Sequence, residues 1–127
     1  MNTEKVFTIG EGDNQVTLAF NLNVMALIQA EYGSVNAWAK MLEDDEDDPK
    51  RGGEPDMQAF LKGFTFMLNE GREIENESRE ADKQKPPFTQ SQVGRLISKW
   101  GQNAVADAMK KAVTASTDTG KADDPNG

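Results

Sequence analysis

The chain opens with two short stretches, residues 5–9 and 15–20, in which apolar and polar side chains alternate. A period of two is typical of strands with one buried face. Between them lies Gly-Glu-Gly-Asp-Asn at 10–14, and glycine and asparagine tolerate the positive φ values of a tight turn. The pattern predicts a β-hairpin, and one face of it needs a cover of helices because an isolated hairpin is marginally stable.

Apolar residues at the spacing of a helix begin directly after the predicted hairpin. Asn21 or Asn23 can cap a first helix, and Gly33 stands where a left-handed C-terminal cap is expected. Ser34 can cap a second, short helix. The predicted apolar positions of the two helices are Val24, Leu27 and Ile28, then Val35, Trp38, Met41 and Leu42.

A charged connection follows the second helix. Residues 43–48 are all Asp or Glu, Pro49 comes next, and Gly52 and Gly53 follow shortly after. Like charges repel one another and glycine is flexible, so this stretch predicts a mobile, solvated loop.

The strongest helical stripe in the chain comes after Pro55, which suits a first helical turn. Its apolar members are Met57, Phe60, Leu61, Phe64, Met67 and Leu68. We expect this helix to end near Asn69, with Gly71 behind it. The polar stretch 72–85 and the two prolines at 86 and 87 then predict an extended linker.

Two helices complete the predicted fold. Thr89 and Gln92 form a T-x-x-Q capping box, and the apolar residues after it are Val93, Leu96, Ile97 and Trp100. Gly101 interrupts the pattern, and an alanine-rich helix is expected at about 102–115. The sequence therefore predicts a mainly helical α+β fold, with an N-terminal β-hairpin followed by four to five α-helices. Residues 1–116 form one domain, and residues 117–127, which lack periodicity, form a disordered tail.

The residue types present argue against an enzyme. The chain has no histidine and no cysteine, which removes imidazole bases, Ser-His and Cys-His pairs and nearly every zinc site. Acids are densest in the predicted loops at 43–48 and 73–82, where carboxylates are not held at fixed separations. The glycines fit neither a dinucleotide fingerprint nor a phosphate loop. We expect a binding protein with no catalytic residues, cofactor or metal.

The charge and hydropathy of the chain limit the kinds of partner that it can bind. There are 22 acidic and 14 basic residues, for a net charge of -8, and this field repels nucleic-acid phosphates. No apolar run approaches the roughly 20 residues of a membrane span, and the first residues lack the apolar core of a signal peptide. The expectation is a cytoplasmic protein that binds neither nucleic acid nor membrane.

Some apolar side chains have no obvious place in a core. Phe66 points nearly opposite Met57 and Phe64 on the predicted helix, so it can contact a partner or another helix. The alanine-rich last helix would let a partner helix approach closely, although alanine is also the best helix former. The candidate partner-binding residues are Phe66, Val105, Ala108, Met109 and Ala112. Burial in the core is the alternative for each of them.

Three motifs occur in order along the chain. The first is Phe20-x-Leu22-Asn23, leading into a helix that ends Tyr32-Gly33-Ser34. The second is Phe66-x-Leu68-Asn69-Glu70-Gly71, and the third is Phe88-Thr89-x-x-x-Val93-Gly94-Arg95-Leu96-Ile97. Together they cover about residues 6–116 and resemble the small tail assembly chaperones of long-tailed (siphovirus-type) bacteriophages and prophages.

The resemblance implies a viral protein of the host bacterial cytoplasm that is absent from the mature virion. It implies binding and solubilisation of the tape-measure protein, and assembly of the tail tube around it. A longer product of ribosomal frameshifting would recruit the tail-tube protein. Many copies along one client make self-association an expectation as well.

Two other functions stay open at the level of sequence. A structural virion component, such as a head-tail connector or tail-completion subunit, shares the size and outline but would remain in purified particles. An acidic inhibitor that mimics nucleic acid would need carboxylates on a rigid surface, whereas the densest acids here fall in predicted loops.

Overall fold

The computed structural model describes residues 6–43 and 52–122, with side chains described up to residue 116. Two strands precede five α-helices, which confirms the predicted α+β fold. The elements are β1 Val6–Ile9, β2 Val16–Ala19, α1 Leu22–Tyr32, α2 Val35–Met41, α3 Met57–Asn76, α4 Gln90–Trp100 and α5 Gln102–Ala122. The acidic stretch 44–48 lies outside the described residues, so its predicted mobility stays a prediction.

The hairpin is antiparallel, with Val6 opposite Ala19 and Ile9 opposite Val16. Its connection contains one turn of 3-10 helix at Gly12–Asn14, and Gly10 adopts a φ of 92°. Helix α3 packs against β2 and also contacts α1, α2 and α4, while α5 packs against β1 and α4. Because α3 touches most of the other elements, it is the central helix of the fold.

Local capping signals set where three helices begin. The Asn21 side chain accepts from the Val24 N–H (3.3 Å), and the Ser34 hydroxyl accepts from the Ala37 N–H (2.9 Å). Asn21, rather than Asn23, is therefore the cap of α1. Thr89 and Gln92 form the predicted capping box of α4. At each of these helix starts, one of the orphan N–H groups thus gains a side-chain partner.

Helix α3 differs from its prediction at both ends. Asp56 is the N-cap, accepting from the Ala59 N–H (3.1 Å), so Pro55 precedes the cap instead of occupying the first turn. The helix also runs through Gly71 to Asn76. A Cβ at residue 71 would lie 2.6 Å from the Thr17 carbonyl carbon and still closer to its oxygen. Glycine is needed there for the close approach of α3 to β2, and it does not end the helix.

The core is built around Trp38, which is 1 % exposed. Its indole N–H donates to the Ala59 carbonyl (3.0 Å), and its ring stacks on Phe20 with centroids 6.3 Å apart. Gly63 makes room for the ring, because a Cβ there would lie 2.6 Å from Nε1. Helix α2 is thereby attached to α3, and Phe20, between β2 and α1, packs on the same ring.

Two details of the helical predictions change in the structure. Leu27 was expected on the buried face of α1 with Val24 and Ile28, but it is exposed. Helix α5 continues to Ala122, beyond the predicted end at residue 115, so the predicted tail lies partly on its last turns and partly outside the described residues.

No helix in the described part of the chain is long and apolar enough to cross a membrane.

Candidate functional site

Two of the three sequence motifs meet at Glu70. The side-chain amides of Asn21 and Asn23 both donate to Glu70 Oε2, at 2.8 and 3.1 Å. Since Asn21 also caps α1, this carboxylate joins the start of α1 to the middle of α3. These two hydrogen bonds therefore link the residues at the start of α1 to α3.

The third motif is held against α3 by backbone contacts. The Asn69 side chain accepts from the Phe88 N–H (2.6 Å) and donates to the Phe88 carbonyl (3.1 Å). Asn76 makes the same pair of bonds with Lys85, at 3.0 and 2.9 Å. Between them, the Arg72 guanidinium lies 3.8 Å from the centre of the Phe88 ring and donates to the Pro86 carbonyl (2.7 Å). The extended segment 85–88 is thus fixed along one side of α3.

The motif residues therefore have a structural role in this fold. They hold the hairpin, α1 and α4 in position around α3.

Burial lowers the pKa of Arg72 from its ordinary value, yet an arginine remains protonated at neutral pH and keeps its contact with Phe88.

We predict that Asn69→Ala lowers the free energy of unfolding by about 2 kcal/mol, because the partly buried Phe88 N–H and carbonyl lose both partners. Urea unfolding followed by circular dichroism measures the change. Asn76→Ala is the matched control: its bonds to Lys85 are exposed, so water replaces them. The Arg79 guanidinium, which also donates to Asn76 (2.8 Å), keeps Glu75 as a partner, so the loss should stay below about 1 kcal/mol. Equal losses for the two variants would contradict this account.

An open apolar groove of about 450 Å³ runs between α2, α3 and α5. We call it the α2–α3–α5 groove. Its lining residues are Trp38, Ala39, Leu42, Glu43, Phe60, Ala106, Met109, Lys110, Val113 and Thr114. Trp38 and Met109 are buried and form its floor, whereas Ala106 and Thr114 are exposed at its edge. Most of the lining is apolar, and each charged residue in it, Glu43 and Lys110, is exposed.

The structure does not bring the five predicted partner-binding residues together. Met109 forms part of the groove floor, but Val105 and Ala112 are buried in the core, and Ala108 lines a different depression between β1 and α5. Phe66 is half-buried and packs against the core. The predicted apolar side of α5 is real, yet this side is mostly used to attach α5 to the rest of the chain.

The groove residues on α2 and α3 were missed as partner contacts. Trp38, Leu42 and Phe60 were read from the sequence as core positions of their own helices. Leu42 is partly exposed, because α2 is short and its apolar residues extend past its last turn. An apolar residue beyond the end of α2 was the one sign in the sequence of an exposed apolar surface. The second wall of the groove comes from α5, which is too distant in the sequence for any local pattern to place it there.

The depression between β1 and α5 has a different character. Its volume is about 540 Å³, and Asp107 and Lys111 line it together with the strand. A further, acidic depression contains Glu70, Glu73 and Glu77. In residues 6–43 and 52–122, no group of three or more His, Cys, Asp or Glu side chains is placed to hold a metal ion. The α2–α3–α5 groove is the most apolar of these three surfaces.

Comparisons with protein-family models, with curated proteins and with solved structures find no match to this chain. The motifs in the sequence and the surfaces of the fold are therefore the features from which a function can be inferred. Of these surfaces, the apolar groove has the chemistry that suits an apolar segment, since burial of apolar surface against its apolar lining is favourable.

Proposed function

We propose that this chain is a non-enzymatic tail assembly chaperone of a long-tailed bacteriophage, acting in the host cytoplasm. Its client would be the tape-measure protein, one apolar helical segment of which lies in the α2–α3–α5 groove. The observation that carries the proposal is the groove itself, an open apolar channel with Trp38 and Met109 in its floor. Shielding of such a segment would keep the client from aggregating before the tail tube forms around it.

The spacing of the lining residues supports a helical client. On α5 its lining residues Ala106, Met109 and Val113 follow one another at intervals of three and four, which places them along one side of that helix. Phe60 and the residues of α2 form the opposite wall. An amphipathic helix docks in such a channel through apolar side chains at the same intervals.

The charge of the chain suits the same role. A protein with a net charge of -8 stays soluble while it presents an apolar surface, and it passes this solubility to a bound client. Glu43, at one end of the groove, begins the acidic run 43–48, so basic residues that flank an apolar client stripe would be favoured.

Co-expression with the tape-measure protein tests the proposal. We expect the client to be soluble and to co-purify with this chain, and to aggregate when expressed without it. Purified virions should lack the chain, which a structural virion component would not. A client whose solubility is unchanged by the chain would overturn the proposal.

A pair of variants tests the groove separately. Ala106→Arg places a long charged side chain at the groove edge, whereas Ala104→Arg makes the same change on an exposed position of α5 that faces β1. Arginine is a good helix former, so both variants should fold. We predict that Ala106→Arg weakens client binding about tenfold, a loss of about 1.4 kcal/mol, while Ala104→Arg leaves it unchanged.

The readout is the dissociation constant for a synthetic peptide of the client segment, measured by calorimetry. Equal weakening by both variants would remove the α2–α3–α5 groove from the proposal and leave the chaperone function to another surface.

We also propose that the tail-tube protein is contacted by a longer frameshifted product of the same gene. Mass spectrometry of infected cells would detect that product.

A further inference from the structure

Strand β1 has one edge that pairs with no other strand of the described chain. The sheet in residues 6–43 and 52–122 consists of two strands, so β1 pairs only with β2. In an antiparallel pair, alternate residues direct their N–H and C=O groups to the partner strand, and the residues between them direct these groups away from it. The second edge of β1 therefore presents backbone donors and acceptors that β2 does not use.

The depression of about 540 Å³ between β1 and α5 runs along this second edge. All four residues of the strand, Val6–Ile9, line it, whereas no residue of β2 does. Side chains of a strand alternate between its two faces, so a depression over one face would be lined by every second residue. The consecutive lining residues therefore place this depression beside the backbone of β1, on the side away from β2.

A second depression, of about 430 Å³, continues the first one along α5. The two depressions share Phe7, Asp107 and Lys111, so together they form one channel, which we call the β1–α5 channel. On α5 the lining extends from Ala104 to Ala115, a rise of about 16 Å. About five residues of extended chain have this length. The β1–α5 channel is therefore as long as one short strand.

The charge of the channel is opposite in sign to that of the whole chain. The chain has a net charge of -8, whereas the charged lining residues are Asp107, Lys110 and Lys111. Lys111 is exposed and lines both depressions, and it forms no ion pair with an acid among the described residues. An acidic partner is therefore attracted to this channel more than to the other depressions of the surface.

We infer that the β1–α5 channel binds an extended, acidic peptide segment of another protein, which adds a third strand beside β1. Backbone hydrogen bonds to the strand edge supply affinity in this mode of binding, and alternate side chains supply specificity. Every second side chain of the segment points to α5, where an acid reaches Lys111. The side chains between them lie beside Val6, which is 42 % exposed.

The chemistry of the channel selects this occupant over others. A helix has no free backbone groups along its side, so it would leave the donors and acceptors of β1 without partners. A basic segment would be repelled by Lys110 and Lys111. The channel also lies on a different side of α5 from Ala106, Met109 and Val113, so its occupant does not compete with a client in the α2–α3–α5 groove.

NMR titration of the purified, isotope-labelled chain tests the inference without any client. The probe is an acetylated and amidated hexapeptide of alternating valine and glutamate, for which we expect a dissociation constant of about 1 mM at low salt. The amide signals of alternate residues in β1 should shift, because alternate N–H groups point to the new strand. The same peptide with every backbone nitrogen methylated should not bind, and a peptide of alternating valine and lysine should bind at least tenfold more weakly.

A charge reversal tests the role assigned to Lys111. Lys111→Glu replaces an attraction by a repulsion, so it should weaken binding of the glutamate peptide about tenfold at low salt and less at high salt. Lys40→Glu makes the same change at an exposed position on α2, which does not line the channel, and should leave the binding unchanged. Both lysines are exposed on helices, and circular dichroism confirms that each variant folds.

Three results would overturn the inference. The first is the absence of shifts in β1 at peptide concentrations of several millimolar, which would mean that Lys111 only protects the strand edge from pairing. The second is equal binding of the glutamate, lysine and methylated peptides. The third is protection of the outward amides of β1 from hydrogen exchange in the free chain, because a segment of the chain itself or a second copy would then occupy the channel.

Discussion

Gly71→Ala should lower the free energy of unfolding by about 3 kcal/mol or more, which is the upper range for overpacking in a rigid core. The new Cβ would meet the backbone of Thr17, and it would also lie 3.0 Å from the Leu18 Cα. A flexible side chain could move away, but a strand backbone paired with β1 cannot move without disturbing the hairpin. Urea unfolding measures the loss, and in a chain of this size it is a large share of total stability.

Gly94→Ala is the matched control for this prediction. Gly94 is also within a helix, but a Cβ there would only approach the Leu61 side chain, at 3.9 Å, which is ordinary contact. Alanine is the better helix former, so this variant should be more stable than the natural chain by about 0.5–1 kcal/mol. We therefore expect the free energy of unfolding to fall in Gly71→Ala and to rise in Gly94→Ala. If Gly71→Ala is also neutral, α3 and β2 are farther apart than described.

Phe64→Ala should cost about 4 kcal/mol, as is usual when a fully buried aromatic ring is removed from a core. The Phe64 ring also packs edge to face with Trp100, their centroids 6.4 Å apart. Its removal leaves a cavity between α3 and the end of α4, where Trp100 precedes the turn into α5. Thermal unfolding should show a fall in Tm of more than 10 °C.

Phe66→Ala, two residues further along the same helix, gives the comparison. Phe66 is only half-buried, so its truncation should cost about 1–2 kcal/mol. Since Phe66 is also a predicted partner contact, the folded variant can be assayed for client recovery. Normal recovery would assign Phe66 to packing alone, and reduced recovery would add it to the client surface. Similar losses of stability for Phe64→Ala and Phe66→Ala would contradict the burial described here.

Local signals in the sequence were sufficient to place most elements. The alternation around residues 10–14 gave the hairpin, and the side chains of Asn21, Ser34 and Thr89 gave three helix starts. Gly33, with a φ of 91°, gave the end of α1. In each case the physical cause lies within a few residues of its effect, so a single sequence contains the necessary information.

The wrong predictions depend on contacts between distant residues. Gly71 has the appearance of a helix stop, but its role is to admit the backbone of Thr17, which is 54 positions earlier in the chain. Leu27 fits the buried stripe of α1 by spacing alone, yet α3 and α2 cover only the side that carries Val24 and Ile28. No local pattern distinguishes a glycine that ends a helix from one that lets another backbone approach it.

The candidate groove could be predicted only in part. The sequence indicated an apolar side on α5, and Met109 was named as a partner contact. The walls of the groove, however, come from α2, α3 and α5, which are distant in the sequence, and the close packing of α2 on α3 depends on Trp38 lying against Gly63.

The Asp56 N–H donates to the Met41 carbonyl (2.8 Å), which clasps the end of α2 to the start of α3 across the acidic connection. Since this bond brings the two ends together, the length of the intervening chain should have little influence on the fold, because the free energy of closing a loop rises by only about 0.6 kcal/mol for each doubling of its length. Substitutions and insertions between the two ends can therefore change the charge next to Leu42 and Glu43, at the end of the groove, while the core stays as it is.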